Sequence, residues 1–307
     1  MSISSIILQQ LGSMFVLIFF GYILVKRNVL NPSGTKQIAN MLANFITPVL
    51  LFMSFQQPYQ STQFKWFLAT VGIAILLMAA RIIVNYFFLR NASRTDRYAT
   101  TFTNAGFIGI PLVQAVLGFE GVFFVSAYST VTNILQRTYG IYIISGDKSL
   151  ITPRNSFLNP ASLGSLVGLI FYLLQIELPT IMSDSLYTIS DLNTPLAMIL
   201  LGSYVAESKL ADVFTHRRAY WTTLLALILS PLISIAILWL LPLDNYLVFF
   251  VLAIATSAPI AVNTALFSQL YGGDYEYGAR LVVLSTLLSL ISMPLVLSIA
   301  EFAFSMN

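Results

Sequence analysis

The chain has 307 residues, 57% hydrophobic and only 9% charged, with a net charge of +3. Soluble domains carry roughly 25% charged residues, and no globular core could hide this much apolar surface, so the composition excludes an ordinary water-soluble protein and makes the bilayer the solvent. The absence of cysteine excludes disulfides, thiolate metal centres and iron–sulfur clusters.

The apolar runs predict ten membrane spans, each near the ~20 residues that cross a ~30 Å hydrocarbon layer. In chain order they cover residues 5–25, 37–55, 64–89, 98–117, 121–145, 158–176, 191–205, 220–241, 246–270 and 280–304. The N-terminus has no basic n-region or small-residue cleavage site, so it reads as the start of the first span rather than a signal peptide. Residues 177–189 read as a short outer segment. Of the 15 Lys and Arg residues, only Lys65, Arg81 and Arg137 fall outside the loops that follow odd-numbered spans. That bias predicts those loops to be cytoplasmic and both termini to lie outside. His216, beside Arg217 and Arg218, reads as a solvated loop residue, since a metal site needs several donors.

Two spacings suggest an internal repeat. Thr47-Pro48 and Thr194-Pro195 lie 147 residues apart, and Pro111 and Pro259 lie 148 apart. A repeat of five spans is odd, so the second copy must enter the membrane inverted, a pattern in which matched helix breaks point to the binding site. The predicted division is 1–145 for the first repeat, 146–157 for a cytoplasmic loop and 158–307 for the second. The fold class expected is all-α integral membrane, with ten helices in two inverted repeats and crossed broken helices.

Thr103-Asn104-Ala105-Gly106-Phe107-Ile108-Gly109-Ile110-Pro111 is the most informative stretch. Proline inside a helix removes one backbone bond and clashes with the preceding turn. Pro111 and Pro259 suit the first turn of a half-helix, where the missing N–H would be unpaired anyway. Each half-helix N-terminus would then seat an anion, and the opposing C-termini would offer carbonyls to a cation. Asn104, two turns before Pro111, and Asn263, one turn after Pro259, can donate and accept there. Gly106 and Gly109 admit either a neighbouring helix or a ligand. Arg137 shares a face with Asn133 four residues earlier, which suits either an entering anion or snorkelling to the headgroups. For Arg81 the expectation is snorkelling. Thr47, Pro48, Asn193, Thr194 and Pro195 either line the path or repair local kinks. No Asp or Glu falls clearly at mid-membrane.

The run from Asn104 to Pro111, with Asn193-Thr194-Pro195-Leu196, Gly202-Ser203, Ala258-Pro259, Asn263, Tyr271 and Asp274, resembles the auxin efflux carrier family, whose bacterial members are often described as malate, malonate or other carboxylate permeases. The likeness covers essentially the whole chain. It implies the crossed-helix architecture of bile-acid sodium symporters and sodium/proton antiporters. It implies a moving unit of spans three to five and eight to ten, on a scaffold of spans one, two, six and seven that forms a homodimer. It also implies Asn104, Gly106, Pro111, Pro259 and Asn263 as the site.

The function expected is secondary transport of a small organic anion, such as a carboxylate, across the cytoplasmic membrane by alternating access. The expected partners are that anion and the bilayer, with no nucleic acid, no cofactor beyond a coupling proton or sodium, and no catalysis. A sodium-coupled symporter is the alternative within the class; a non-transporting receptor or scaffold is the alternative outside it.

Overall fold

The computed structural model describes residues 3–152, 158–208 and 213–306. The described residues are helical, joined by turns, with one isolated backbone bridge and no strand. Helix α1 is Ile3–Lys26. Helices α2 (Pro32–Met41) and α3 (Thr47–Met53) flank a π-turn at Leu42–Ile46. Helix α4 is Ser61–Phe88, and α5 is the short Arg94–Thr101. A π-turn at Ala105–Gly109 leads into α6, Ile110–Leu135, and another at Gln136–Gly140 into α7, Ile141–Ser145. Then come α8 (Pro160–Leu174), α9 (Thr180–Asp191) and α10 (Asn193–Glu207). Helices α11 (Arg217–Leu224) and α12 (Ser230–Leu240) flank a π-turn at Leu225–Leu229. The chain ends with α13 (Tyr246–Ser257), α14 (Asn263–Leu270) and α15 (Tyr275–Ser305).

Among the described residues, five helical stretches are long and apolar enough to cross a bilayer: Leu8–Lys26, Ser61–Phe88, Ala105–Ser145, Arg217–Leu240 and Tyr275–Ser305. The 41 residues of the third would run about 60 Å as one rod, twice the hydrocarbon thickness. The rod is in fact broken at Gly118, whose φ of +67° lies in the left-handed region that glycine enters without penalty. The segment 177–189, read from the sequence as a short outer segment, is largely the helix α9, turning into α10 at Leu192.

Three of the four π-turns among the described residues end two residues before a proline: Pro48, Pro111 and Pro231. In each, the N–H of the residue immediately before the proline reaches five residues back: Thr47 to Leu42, Ile110 to Ala105, Ser230 to Leu225. The wider turn moves aside the carbonyl that the pyrrolidine ring would strike. These prolines therefore do not break their helices. Pro111 lies within continuous helix that starts at Ala105, whereas Pro259 lies in extended chain between α13 and α14. The 148-residue match between them does not correspond to equivalent places in the fold.

Helix α13 is the centre of the molecule. Every residue from Val248 to Ser257 is buried, as suits a helix that is apolar all round. It is enclosed by α4, α6, α12 and α15. To one side, α1 packs along α10 and α3 along α8. Both contacts bring backbone onto backbone at glycine. A Cβ on Gly202 would meet the Ile18 carbonyl at 2.0 Å, and one on Gly21 the Ile199 carbonyl at 2.3 Å. On the other pair, a Cβ on Gly164 would meet the Pro48 carbonyl at 2.3 Å, and one on Gly168 the Phe52 carbonyl at 3.0 Å. Small residues that let helix backbones meet are the usual source of tight packing in lipid, where no hydrophobic force draws helices together.

Replacing Gly202 by alanine forces α1 and α10 apart. Thermal unfolding of purified G202A should occur several degrees below wild type, whereas G12A, whose new methyl meets nothing within 4 Å, should unfold as wild type does.

Candidate functional site

The chain leaves helical geometry between α5 and the Ala105 π-turn, and again between α13 and α14. The two breaks cross. Thr103 and Ile260 form an antiparallel bridge. Asn104 N–H donates to the Pro259 carbonyl at 2.6 Å, and Ala261 N–H to the Phe102 carbonyl at 3.1 Å. Ser285 of α15 accepts from Ile260 N–H at 3.1 Å. Thr103 Oγ1 donates to the Ala255 carbonyl at 2.9 Å, in the last turn of α13. Ala258 is held extended (ψ 149°) because the Pro259 ring disfavours the helical region for the residue before it. Polar backbone freed inside hydrocarbon must find protein partners, and each break supplies them to the other.

Asn104 is the N-cap of the π-turn and not a member of a helical face shared with Pro111. Its Oδ1 accepts from Phe107 N–H at 3.2 Å, and its carbonyl accepts from Ile108 and Gly109. Its Nδ2 is buried without a hydrogen-bond partner. Gly106 is exposed, and a Cβ there would meet nothing within 4 Å, so the turn opens on free space beside this amide. Gly109 instead packs inward, its Cβ position 3.7 Å from the Ala255 Cα. On the other half-helix, Asn263 Nδ2 donates to Gln136 Oε1 at 2.6 Å, and Tyr98 OH donates to the same oxygen at 3.3 Å. Pro259 supplies its carbonyl to the crossing, while Pro111 sits on the buried side of α6. Asn133 and Arg137 are half-buried, three residues before and one after Gln136.

Arg81 departs from expectation. It does not snorkel: it is 1% exposed, deep in α4. Its guanidinium donates to the Thr256 carbonyl at 2.9 Å and reaches the Ala226 carbonyl at 3.5 Å. Thr256 belongs to the last turn of α13, whose carbonyls carry the negative end of that helix dipole. Ala226 lies in the Leu225–Leu229 π-turn. Among the described residues no carboxylate lies within ion-pairing distance of Arg81, and its Nε has no partner.

The sequence pattern of the membrane transport protein family matches residues 6–297. The chain belongs to this family, the auxin efflux carrier-like membrane transporters. One relative, described as an uncharacterized transporter from Methanothermobacter thermautotrophicus, is 28% identical over 292 residues, covering 92% of this chain and 95% of its own. This family member is thus an integral membrane transporter.

Sequence reasoning misread one group in the transporter and missed another. Arg81 was visible only as a charge in an apolar run, and its burial depends on where α13 ends. Asp96 is wholly buried and accepts from Thr222 Oγ1 and from Tyr277 OH, each at 2.7 Å, and pairs with Arg218. The signal for it was the capping box Ser93-Arg94-Thr95-Asp96, in which each side chain bonds the other's backbone N–H. That box fixes the start of α5 eight residues ahead of the crossing.

Ser285→Ala removes the partner of the buried Ile260 N–H, which costs about 1–3 kcal/mol. Amide hydrogen exchange across 258–262 should speed up in S285A. The neighbouring S289A, whose hydroxyl bonds only its own helix at Thr286, should leave that exchange unchanged.

Proposed function

We propose that the protein is a secondary transporter of a small organic anion, such as a carboxylate, bound where the two broken helices cross. The observation that carries this reading is Arg81: a guanidinium buried in the membrane interior, seated on carbonyls, without a carboxylate partner. An ionised group buried without a counter-charge is costly, and such residues inside membranes mark substrate and ion pathways. A bound carboxylate would supply the missing negative charge. The unpartnered Asn104 amide and the start of the Ala105 turn give it hydrogen-bond donors and the positive end of a helix dipole. The free space beside Gly106 gives it room.

The same residue argues against sodium coupling. A cation held by half-helix carbonyls would need those of Ala255 and Thr256, which Thr103 and Arg81 already occupy. The fixed guanidinium takes the place that a travelling cation would have.

Ten crossings in two inverted repeats remain our reading of the architecture. Its support is the glycine packing: Gly21 meets Ile199 as Gly168 meets Phe52, and 147 residues separate both Gly21 from Gly168 and Phe52 from Ile199. On this reading α1, α3, α8 and α10 form the scaffold, which forms the homodimer. The helices around α13 move against it to give alternating access. The site faces the cytoplasmic membrane's two sides in turn, with both termini outside.

Reconstituted protein should take up radiolabelled mono- or dicarboxylates into liposomes at a rate that does not change when a sodium gradient is removed. Arg81→Gln should cut that uptake at least tenfold, while Arg81→Lys keeps a measurable part of it. Uptake by R81Q at the wild-type rate, or uptake only of cations, would end the anion reading. Gly106→Ala should remain folded, because its methyl has room, yet transport more slowly, because that room is the substrate's.

A further inference from the structure

A cavity of about 320 Å³ lies between the C-terminal end of α4 and the start of α11. Its walls divide into two kinds. Phe87, Phe88 and Trp221 are exposed, and in a membrane-spanning chain such side chains face lipid. Arg90, Asn91 and Arg218 form the polar wall. Aromatic rings beside arginine at a helix end are the composition of the bilayer–water interface.

The charges in the cavity do not cancel. Asp96 forms part of the floor, but its carboxylate is spent on Arg218, Thr222, Tyr277 and Ser93. Arg218 is itself half exposed and lies over the Tyr277 ring at 5.9 Å. Arg90 is exposed and, among the described residues, makes no ion pair or side-chain hydrogen bond. Two guanidiniums against one carboxylate leave a surplus of one positive charge, in a pocket with an apolar rim on its lipid side.

The geometry points to a binding site for the headgroup of an anionic phospholipid, its singly charged phosphodiester between Arg90 and Arg218 and its acyl chains running down Phe87, Phe88 and Trp221. A phosphodiester monoanion matches the surplus charge, and arginine is the side chain best suited to phosphate oxygens. Free inorganic phosphate shares that chemistry but would leave the aromatic rim without an occupant. The inference does not depend on what the crossing transports.

The test is thermal unfolding of the purified full-length protein in neutral detergent, with phosphatidylglycerol, phosphatidylcholine or inorganic phosphate added. Phosphatidylglycerol should raise the midpoint clearly more than phosphatidylcholine, and inorganic phosphate should not reproduce the rise. Arg90→Gln should lose at least half of the rise specific to phosphatidylglycerol, while Arg27→Gln, at the exposed end of α1, should keep it. Equal shifts with the two lipids, a full shift in R90Q, or an equal loss in R27Q would overturn the proposal. So would a full shift from inorganic phosphate, which would make the cavity a site for a soluble anion.

Discussion

The structure depends on an exchange of backbone hydrogen bonds between two interrupted helices. Asn104 gives its N–H to Pro259, and Phe102 takes the N–H of Ala261. Neither interruption could exist in hydrocarbon alone, because each frees polar groups that no water can reach. Together they leave helix ends pointing at one small region. The burial of α13 on all sides follows, since the crossing has to be sealed from lipid by α4, α6, α12 and α15. The position of Ser285 follows as well: a break leaves one N–H over, and a neighbouring helix must supply its acceptor.

The charges near the crossing obey the same geometry. A helix that stops inside the membrane presents carbonyls with no partner in the next turn. Thr103 and Arg81 fill that role for α13. For a guanidinium this is a better place than lipid, since carbonyl dipoles partly replace its hydration. It is also better than a salt bridge if the site is to accept an anion, because a resident carboxylate would compete with the guest. The asymmetry between the two ends of the breaks, cation at the carbonyl end and free amide donors at the other, is the basis of the proposed selectivity for negative charge.

Much of this was legible from residue order. Apolar runs located many of the helix ends to within a few residues, because a chain surrounded by lipid must carry its apolar residues in long runs. The stretch from Asn104 to Pro111 stood out because small and polar residues are costly there without a purpose. What residue order misjudged was the part played by proline. Pro111 and Pro259 are chemically identical, yet one is absorbed by a widened turn and the other sits in extended chain. The difference lies in neighbours, since the second has a crossing segment whose Asn104 N–H bonds its carbonyl. Arg81 was misread for a similar reason. Distance along α4 suggested an escape to the headgroups, but the partner that holds it belongs to a helix 175 residues later.

The π-turn ahead of Pro231 has a reach beyond its own helix. A turn with one extra residue rotates everything before it by about 100° relative to everything after, compared with uninterrupted α-helix. Arg218 and Thr222 stand before that turn and meet Asp96; Ser234, Ile235 and Leu238 stand after it and face the core. A regular helix could not aim both sets correctly. The imino acid at one position thus sets the angular phase of a contact three turns away, on the buried carboxylate at the head of α5.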